Sequence, residues 1–146
     1  MRFRSLLLLI LGTVIASLGQ PITGEANRLE FKKDRIIYEG NARLTRGKTV
    51  LKADKVTIFL GEDGKPTKLV AEGRVRYTEP KRKAVADYAE YILSEEIIIL
   101  KGKARVEEEK NVLEADEIVY DRKNETLSAR GTSRKVRTIY IEEEKK

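Results

Sequence analysis

The amino-acid sequence predicts an all-β protein whose antiparallel strands form a sandwich, jelly roll or barrel. Three observations carry this. Apolar residues alternate strictly with others through Ile36, Tyr38, Gly40, Ala42 and Leu44, through Leu69, Ala71, Gly73, Val75 and Tyr77, and through Ile98, Leu100, Gly102, Ala104 and Val106. A period of two is that of a strand with one buried face. The connectors are short and rich in turn residues, which suits antiparallel neighbours, because parallel strands need crossovers of about a dozen residues or more. Finally, one pattern recurs: a glycine (Gly40, Gly73, Gly102, Gly131), a small residue two places on (Ala42, Val75, Ala104, Ser133), then an arginine (Arg43, Arg76, Arg105, Arg134). An Ala-Asp pair closes three of the units, at Ala53-Asp54, Ala86-Asp87 and Ala115-Asp116. Glycine spacings of 33, 29 and 29 residues signal stacked supersecondary units.

Taken in order, residues 1–19 have the layout of a secretory signal, with Arg2 and Arg4 ahead of an apolar run from Leu6 to Leu18 and small residues at Ser17 and Gly19. The alternative is an uncleaved anchor, for which the run is short. Residues 20–146 then suit a single domain. Its expected strands are 25–31, 34–45, 49–60, 67–78, 84–93, 96–108, 111–121 and 125–141. In the second strand of each unit the apolar phase slips at the Ala-Asp pair: Leu51 and Ala53 have one parity, Val56 and Ile58 the other, and Leu113 and Ala115 are followed by Ile118 and Tyr120. A one-residue slip turns every later side chain over, so a bulge or bend is expected at each Ala-Asp. At the ends, Ala26-Asn27 with Leu29 and Phe31 reads as the second half of a unit, and Gly131 to Arg134 as a first half. Such an array is expected to expose a strand edge at each end, and edges pair with other strands unless blunted.

The formal charge of +6 falls by two if Arg2 and Arg4 leave with the signal, a mildly basic balance that does not suggest a nucleic-acid partner. Histidine and cysteine are absent, which removes the commonest general base, the thiol nucleophile and the usual transition-metal ligands. No catalytic residue, metal site or cofactor is expected. Asp54, Asp87 and Asp116 are repeated in equivalent settings, whereas acid-base catalysis needs unlike ones, so they are expected to accept backbone N–H groups at the bends. Arg43, Arg76, Arg105 and Arg134, joined by Arg74 and Lys103, have outward parity; either they pair with neighbouring carboxylates or they attract phosphates. The inward column is thin in side-chain volume at glycine and alanine, so either the two sheets approach closely or a groove remains for an apolar ligand.

The segments Ile37-Tyr38-Glu39-Gly40-Asn41-Ala42, Leu51-Lys52-Ala53-Asp54-Lys55-Val56 and Leu113 to Tyr120, with the repeated G-x-[AV]-R and A-D-x-Φ-x-Φ patterns behind a signal, resemble the OstA-like family of periplasmic lipopolysaccharide-transport proteins. The resemblance covers nearly all of residues 20–146; Asn27 in the aspartate place and a short opening segment depart from it. It implies an antiparallel β-jelly roll, or open two-sheet β-sandwich, built from repeated two-strand units, with a groove for the lipid A acyl chains of lipopolysaccharide. It further implies head-to-tail homo-oligomers forming a bridge between the membranes, an LptC-like inner-membrane protein at the N-terminal edge and an LptD-like outer-membrane protein at the C-terminal edge. The expected acyl-chain lining is Ile36, Tyr38, Ala42, Leu44, Ile58, Leu69, Val75, Tyr91, Ile98, Leu100, Ala104, Val106 and Ile118, with the basic column assisting at phosphates. The alternatives are a membrane-anchored LptC-like adaptor and a purely structural edge-pairing β-array.

Overall fold

The computed structural model describes residues 22–140; the expected signal at 1–19 and the charged tail at 142–146 lie outside the described residues. Ten strands occur among the described residues: β1 (Thr23–Glu25), β2 (Arg28–Lys32), β3 (Arg35–Arg46), β4 (Thr49–Leu60), β5 (Pro66–Glu79), β6 (Arg82–Ile92), β7 (Ile97–Glu108), β8 (Asn111–Asp121), β9 (Thr126–Arg130) and β10 (Arg137–Ile139). They form one antiparallel sheet in which β3 to β8 follow each other in chain order. At one end β1 and β2 share the flank of β3, and at the other β9 and β10 share the flank of β8. No described residue is helical.

The sheet creases along a line through the middle of every long strand. Between β7 and β8 the ladder pairs Leu100 with Ile118 and Ala104 with Ala115, all four of them buried, so four residues of β7 advance against three of β8. The same shift separates Glu39 from Ala42 in the β3–β4 ladder and Glu72 from Val75 in the β5–β6 ladder. The slip expected at each Ala-Asp is therefore real, and its compensating extra residue sits on the glycine strand. There the backbone takes positive φ twice in succession: Gly40 (84°) and Asn41 (49°), Gly73 (79°) and Arg74 (48°), Gly102 (82°) and Lys103 (48°). Only glycine adopts φ near 80° without strain, and Asn, Arg and Lys complete the bulge in the left-handed region.

The glycines have a second reason to be glycine, one that corrects the expectation of an inward column with room to spare. A β-carbon at Gly73 would collide with the carboxylate of Asp54, and one at Gly102 would lie 2.5 Å from Asp87 Oδ2. At Gly40 it would lie 2.8 Å from Asn27 Nδ2. The volume missing at glycine is filled by the Asp or Asn of the neighbouring strand, so bulge and Ala-Asp pair are one device. Asn27 fills the aspartate place in kind, and its N–H also donates to Gly40 O at 2.8 Å.

Two strand expectations need amending. The run expected at 25–31 is two strands, β1 and β2, broken at Ala26 and Asn27, and the run expected at 125–141 is β9 and β10 separated by 131–136. Each terminal segment must follow the crease of its only partner strand, and without a second neighbour its ladder breaks there. The crease folds the sheet onto itself, so that Ala42, Leu44, Leu51 and Val106 from one side of the line pack in a single core with Leu69, Tyr91, Ile98 and Ile118 from the other.

Candidate functional site

Rows of inward side chains cross each layer of the folded sheet from strand to strand. In one layer, Tyr38, Val56, Ala71, Ala89, Leu100, Ile118 and Ala129 are successive cross-strand partners, and beside them run Ile36, Ile58, Leu69, Tyr91, Ile98, Tyr120 and Leu127. In the other layer Leu44, Leu51, Tyr77, Ala84, Val106 and Leu113 form such a row. Ten of the expected lining residues are buried: Ala42, Leu44, Leu69, Val75, Tyr91, Ile98, Leu100, Ala104, Val106 and Ile118. Ile36, Tyr38 and Ile58, near the N-terminal edge, are half-buried. Val56 and Ala71, both 0 % exposed, and Leu51, Tyr77 and Leu113 belong to the same interior and were missed. The parity of Leu51 and Val56 about the Ala-Asp slip was the signal for them.

Of the two alternatives, close-packed layers and a standing groove, the described residues show close-packed layers. The cavity between the layers, bounded by Leu51, Leu69, Val75, Tyr77, Ala86 and Leu100 among others, measures about 20 Å³, room for about one water molecule. Nearly all of its wall is apolar.

The terminal edges of the sheet are where the apolar surface emerges. The large hydrophobic side chains exposed among the described residues are Ile22, Leu29, Phe31, Leu127, Val136, Ile139 and Tyr140, and every one lies on a terminal segment. Leu29 pairs with Tyr38 and Phe31 with Ile36, so at β2 the inward rows run out to the surface, with Phe31 72 % exposed. Leu127 opposite Tyr120 does the same at β9. Rows of this kind ending in unpaired strand edges form a template for a further strand.

At the tip of one layer the inward parity passes onto charged residues. Glu79, 5 % exposed, follows Val75 and Tyr77; Arg82 is its cross-strand partner and Glu108 is the next. Tyr77 Oη donates to Glu79 Oε2 at 2.8 Å, Arg82 reaches Glu79 Oε1 at 2.8 Å, and its Nε lies 3.4 Å from Glu108. Burial, reinforced by the Glu79 carboxylate, pushes the Tyr77 hydroxyl far above the ordinary phenol range. A buried carboxylate persists only when paired and hydrogen-bonded. Here the pairing closes the end of an apolar interior with a polar bar. At the other layer's tip Glu96 and Arg122 pair at 2.9 Å.

Of the three repeated aspartates, Asp116 accepts backbone N–H groups as expected, whereas Asp54 receives the Arg74 side chain instead. Asp116 Oδ2 accepts the successive N–H groups of Thr132, Ser133 and Arg134 at 2.6, 2.8 and 3.1 Å. The Arg134 N–H first, then those of Thr132 and Ser133, hold its pKa well below the usual carboxylate range. Asp54 receives Arg74 through Nε at 2.9 Å and a terminal nitrogen at 2.6 Å. The basic column divides. Arg105 meets Glu107 at 2.6 Å and Glu114 at 3.7 Å, and Arg134 lies 3.8 Å from Asp116, whereas Arg43 and Arg76 are exposed and have no carboxylate within ion-pair distance among the described residues.

Comparison with known proteins follows from this geometry. The family model described as LptA/(LptD N-terminal domain) LPS transport protein matches residues 21–126. The lipopolysaccharide export system protein LptH of Pseudomonas aeruginosa is 29 % identical over 150 aligned positions, covering 88 % of this chain and 85 % of that protein. The crystal structure of LptH, described as the LptA-homologous periplasmic component of the lipopolysaccharide transport device of that organism, superposes with a TM-score of 0.69. That match, at 24 % identity, covers 84 % of this chain and 96 % of the other and shows a common fold.

Proposed function

This chain belongs to the LptA and LptD N-terminal-domain family of lipopolysaccharide transport proteins, and from that premise we propose that it is a non-enzymatic periplasmic bridge that carries lipid A acyl chains between the two layers of its folded sheet. The observation that carries the reading is the confinement of exposed large hydrophobics to the two terminal edges, where the inward rows surface. A second copy docked edge to edge would continue both the backbone ladder and the apolar rows. Because the two edges differ, the contact is head to tail and runs on as a filament or closes as a ring.

Acyl chains would displace the close contact between layers. Each buried CH₂ contributes roughly 0.8 kcal/mol, so a few methylenes offset a modest separation of the layers about the crease. Ile36, Tyr38 and Ile58, half-buried beside the N-terminal edge, are the first lining residues a chain entering there would meet. In this reading an LptC-like inner-membrane protein pairs with β1 and β2, and an LptD-like outer-membrane protein pairs with β9 and β10. Residues 1–19 act as the export signal and 20–146 as the single carrier domain.

The test is competition. Purified chain should bind fluorescent lipopolysaccharide, and lipid A should displace it while the fully deacylated saccharide should not. Displacement by the saccharide, or no binding at all, would rule out an acyl-chain carrier.

A further inference from the structure

On the outer face of the sheet the two layers are charged in different ways. In the layer containing β2 and β9, the row next to the crease reads Glu39, Lys55, Glu72, Tyr88, Lys101, Glu117, Arg130 across successive partner strands. Acid and base alternate, and Glu117 lies 3.9 Å from Lys101 and 2.7 Å from Arg130. The corresponding row of the other layer starts at Glu25 on β1, opposite Arg43 but not within ion-pair distance of it, and continues through Arg43, Lys52 and Arg76 as direct cross-strand partners on β3, β4 and β5. Like charges placed directly opposite destabilise a sheet. None of the three has a carboxylate within ion-pair distance among the described residues, and Arg43 only points Nε at Thr45 Oγ1, 3.3 Å away. All three are exposed.

These side chains line a cleft of about 350 Å³ with Asn41, Asp54 and Arg74 at the crease. Asp54 is the acid within the cleft lining, and both nitrogens of the Arg74 fork already occupy its Oδ1. Arg74 is itself held in the left-handed bulge, so its guanidinium comes from a fixed backbone position. The cleft therefore presents three uncommitted cations and one committed ion pair on adjacent strands.

We infer that Arg43, Lys52 and Arg76 form an anion site for closely spaced phosphate groups, on the face of the sheet opposite the apolar interior. Two guanidinium forks suit phosphate oxygens bidentately, and the lysine between them adds a mobile point charge. A bound phosphate pair would supply the negative charge that glutamates supply in the alternating row. The phosphates belong either to a small polyphosphate in solution or to a phosphomonoester headgroup at a lipid surface.

The experiment titrates the full chain with inorganic pyrophosphate and, separately, with phosphatidylcholine vesicles with and without phosphatidate. The comparison variants are K52Q/R76Q and K55Q/K101Q, which remove equal charge from the two rows. Either ligand should bind the parent chain in a salt-sensitive manner. K52Q/R76Q should bind at least about tenfold more weakly, the size of one charge-assisted hydrogen bond, while K55Q/K101Q should bind as the parent does. Without ligand, K52Q/R76Q should melt no lower than the parent, because it relieves repulsion. Pyrophosphate binding identifies the soluble source, and binding to phosphatidate vesicles alone identifies the headgroup. No binding by either, or equal weakening in both variants, would overturn the site. Pyrophosphate has no acyl chain, so that arm reports on this cleft whether or not the interior accepts lipid.

Discussion

Gly64 and Gly73 share a φ of +79° and differ only in what surrounds them: a β-carbon at Gly64 would meet nothing within 4 Å, while one at Gly73 would collide with Asp54. Gly64→Ala therefore measures the backbone alone. Holding alanine in the left-handed region costs about 1–2 kcal/mol, and the loss of unfolded-state freedom returns about 0.4–1 kcal/mol, leaving a net destabilisation near 1 kcal/mol. Gly73→Ala adds the displacement of Asp54, whose Cβ and Cγ both stand 2.9 Å from the new methyl, and the consequent loss of the Arg74 fork. That fork is largely exposed, so it contributes little; the strain of overpacking adds about 1–3 kcal/mol. Gly73→Ala should thus cost about 2–4 kcal/mol, against about 1 kcal/mol for Gly64→Ala, in urea unfolding at neutral pH. In the D54A/G73A double variant the carboxylate is gone and only the Cβ contact remains, so the cost should fall below the sum of the single changes. Equal costs for the two glycines, within about 0.5 kcal/mol, or strict additivity with Asp54→Ala, would refute the claim that bulge and Ala-Asp pair act as one device.

Replacing Arg82 by methionine should destabilise by about 2–3 kcal/mol in the same assay, less than a fully buried pair because Arg82 is 20 % exposed, since it strands Glu79 beside Tyr77; an effect within about 0.5 kcal/mol would show that the polar bar is solvated. The Asp116 carboxyl, depressed by three N–H donors, stabilises the fold above its unfolded pKa of about 3.9 and loses that contribution as pH falls below it. The stability gap between the parent chain and Asp116→Asn should accordingly be present at neutral pH and shrink on acidification; a gap unchanged by pH would contradict the nest. Ala104→Trp, 1 % exposed in the parent, overfills an interior with about 20 Å³ to spare, so it should cost about 1–3 kcal/mol and weaken lipopolysaccharide binding in fluorescence titration. Because the chain has no cysteine, single cysteines at Glu30 on β2 and Ser128 on β9, mixed and oxidised, should give a disulfide-linked dimer, and absence of that product would argue against head-to-tail pairing of these edges.

The six central strands were legible because their alternation is strict and their turns short, and the crease was legible because Leu51-Ala53 and Val56-Ile58 cannot face one side of an unbroken strand. What glycine does there was not. Sequence shows a missing side chain at Gly73 but not that Asp54, on the preceding strand, occupies the space. The terminal runs looked continuous because Leu29 and Phe31 alternate correctly; the break at Ala26-Asn27 comes from following a creased partner, a tertiary constraint. Among the candidate site residues, parity put ten of thirteen in the buried interior. It also extended from Val75 and Tyr77 to Glu79, and from Ala104 and Val106 to Glu108, where a charged residue in an inward place signals the polar bar. The basic column could not be divided in advance, since whether an arginine is compensated depends on what the register sets opposite it, Glu114 for Arg105 and Lys52 for Arg76, and on whether the two side chains meet, which Glu25 and Arg43 do not.

The central claim, that acyl chains lie between the layers, rests on facing. Leu100 and Ile99 are neighbours on β7, the first inward and 5 % exposed, the second on the outer face. A diazirine amino acid of leucine size placed at each position in turn, irradiated in cells exporting lipopolysaccharide, should yield a lipopolysaccharide adduct from position 100 and none from position 99. Equal adducts from both, or an adduct from position 99 alone, would place the lipid outside the sheet and contradict the account.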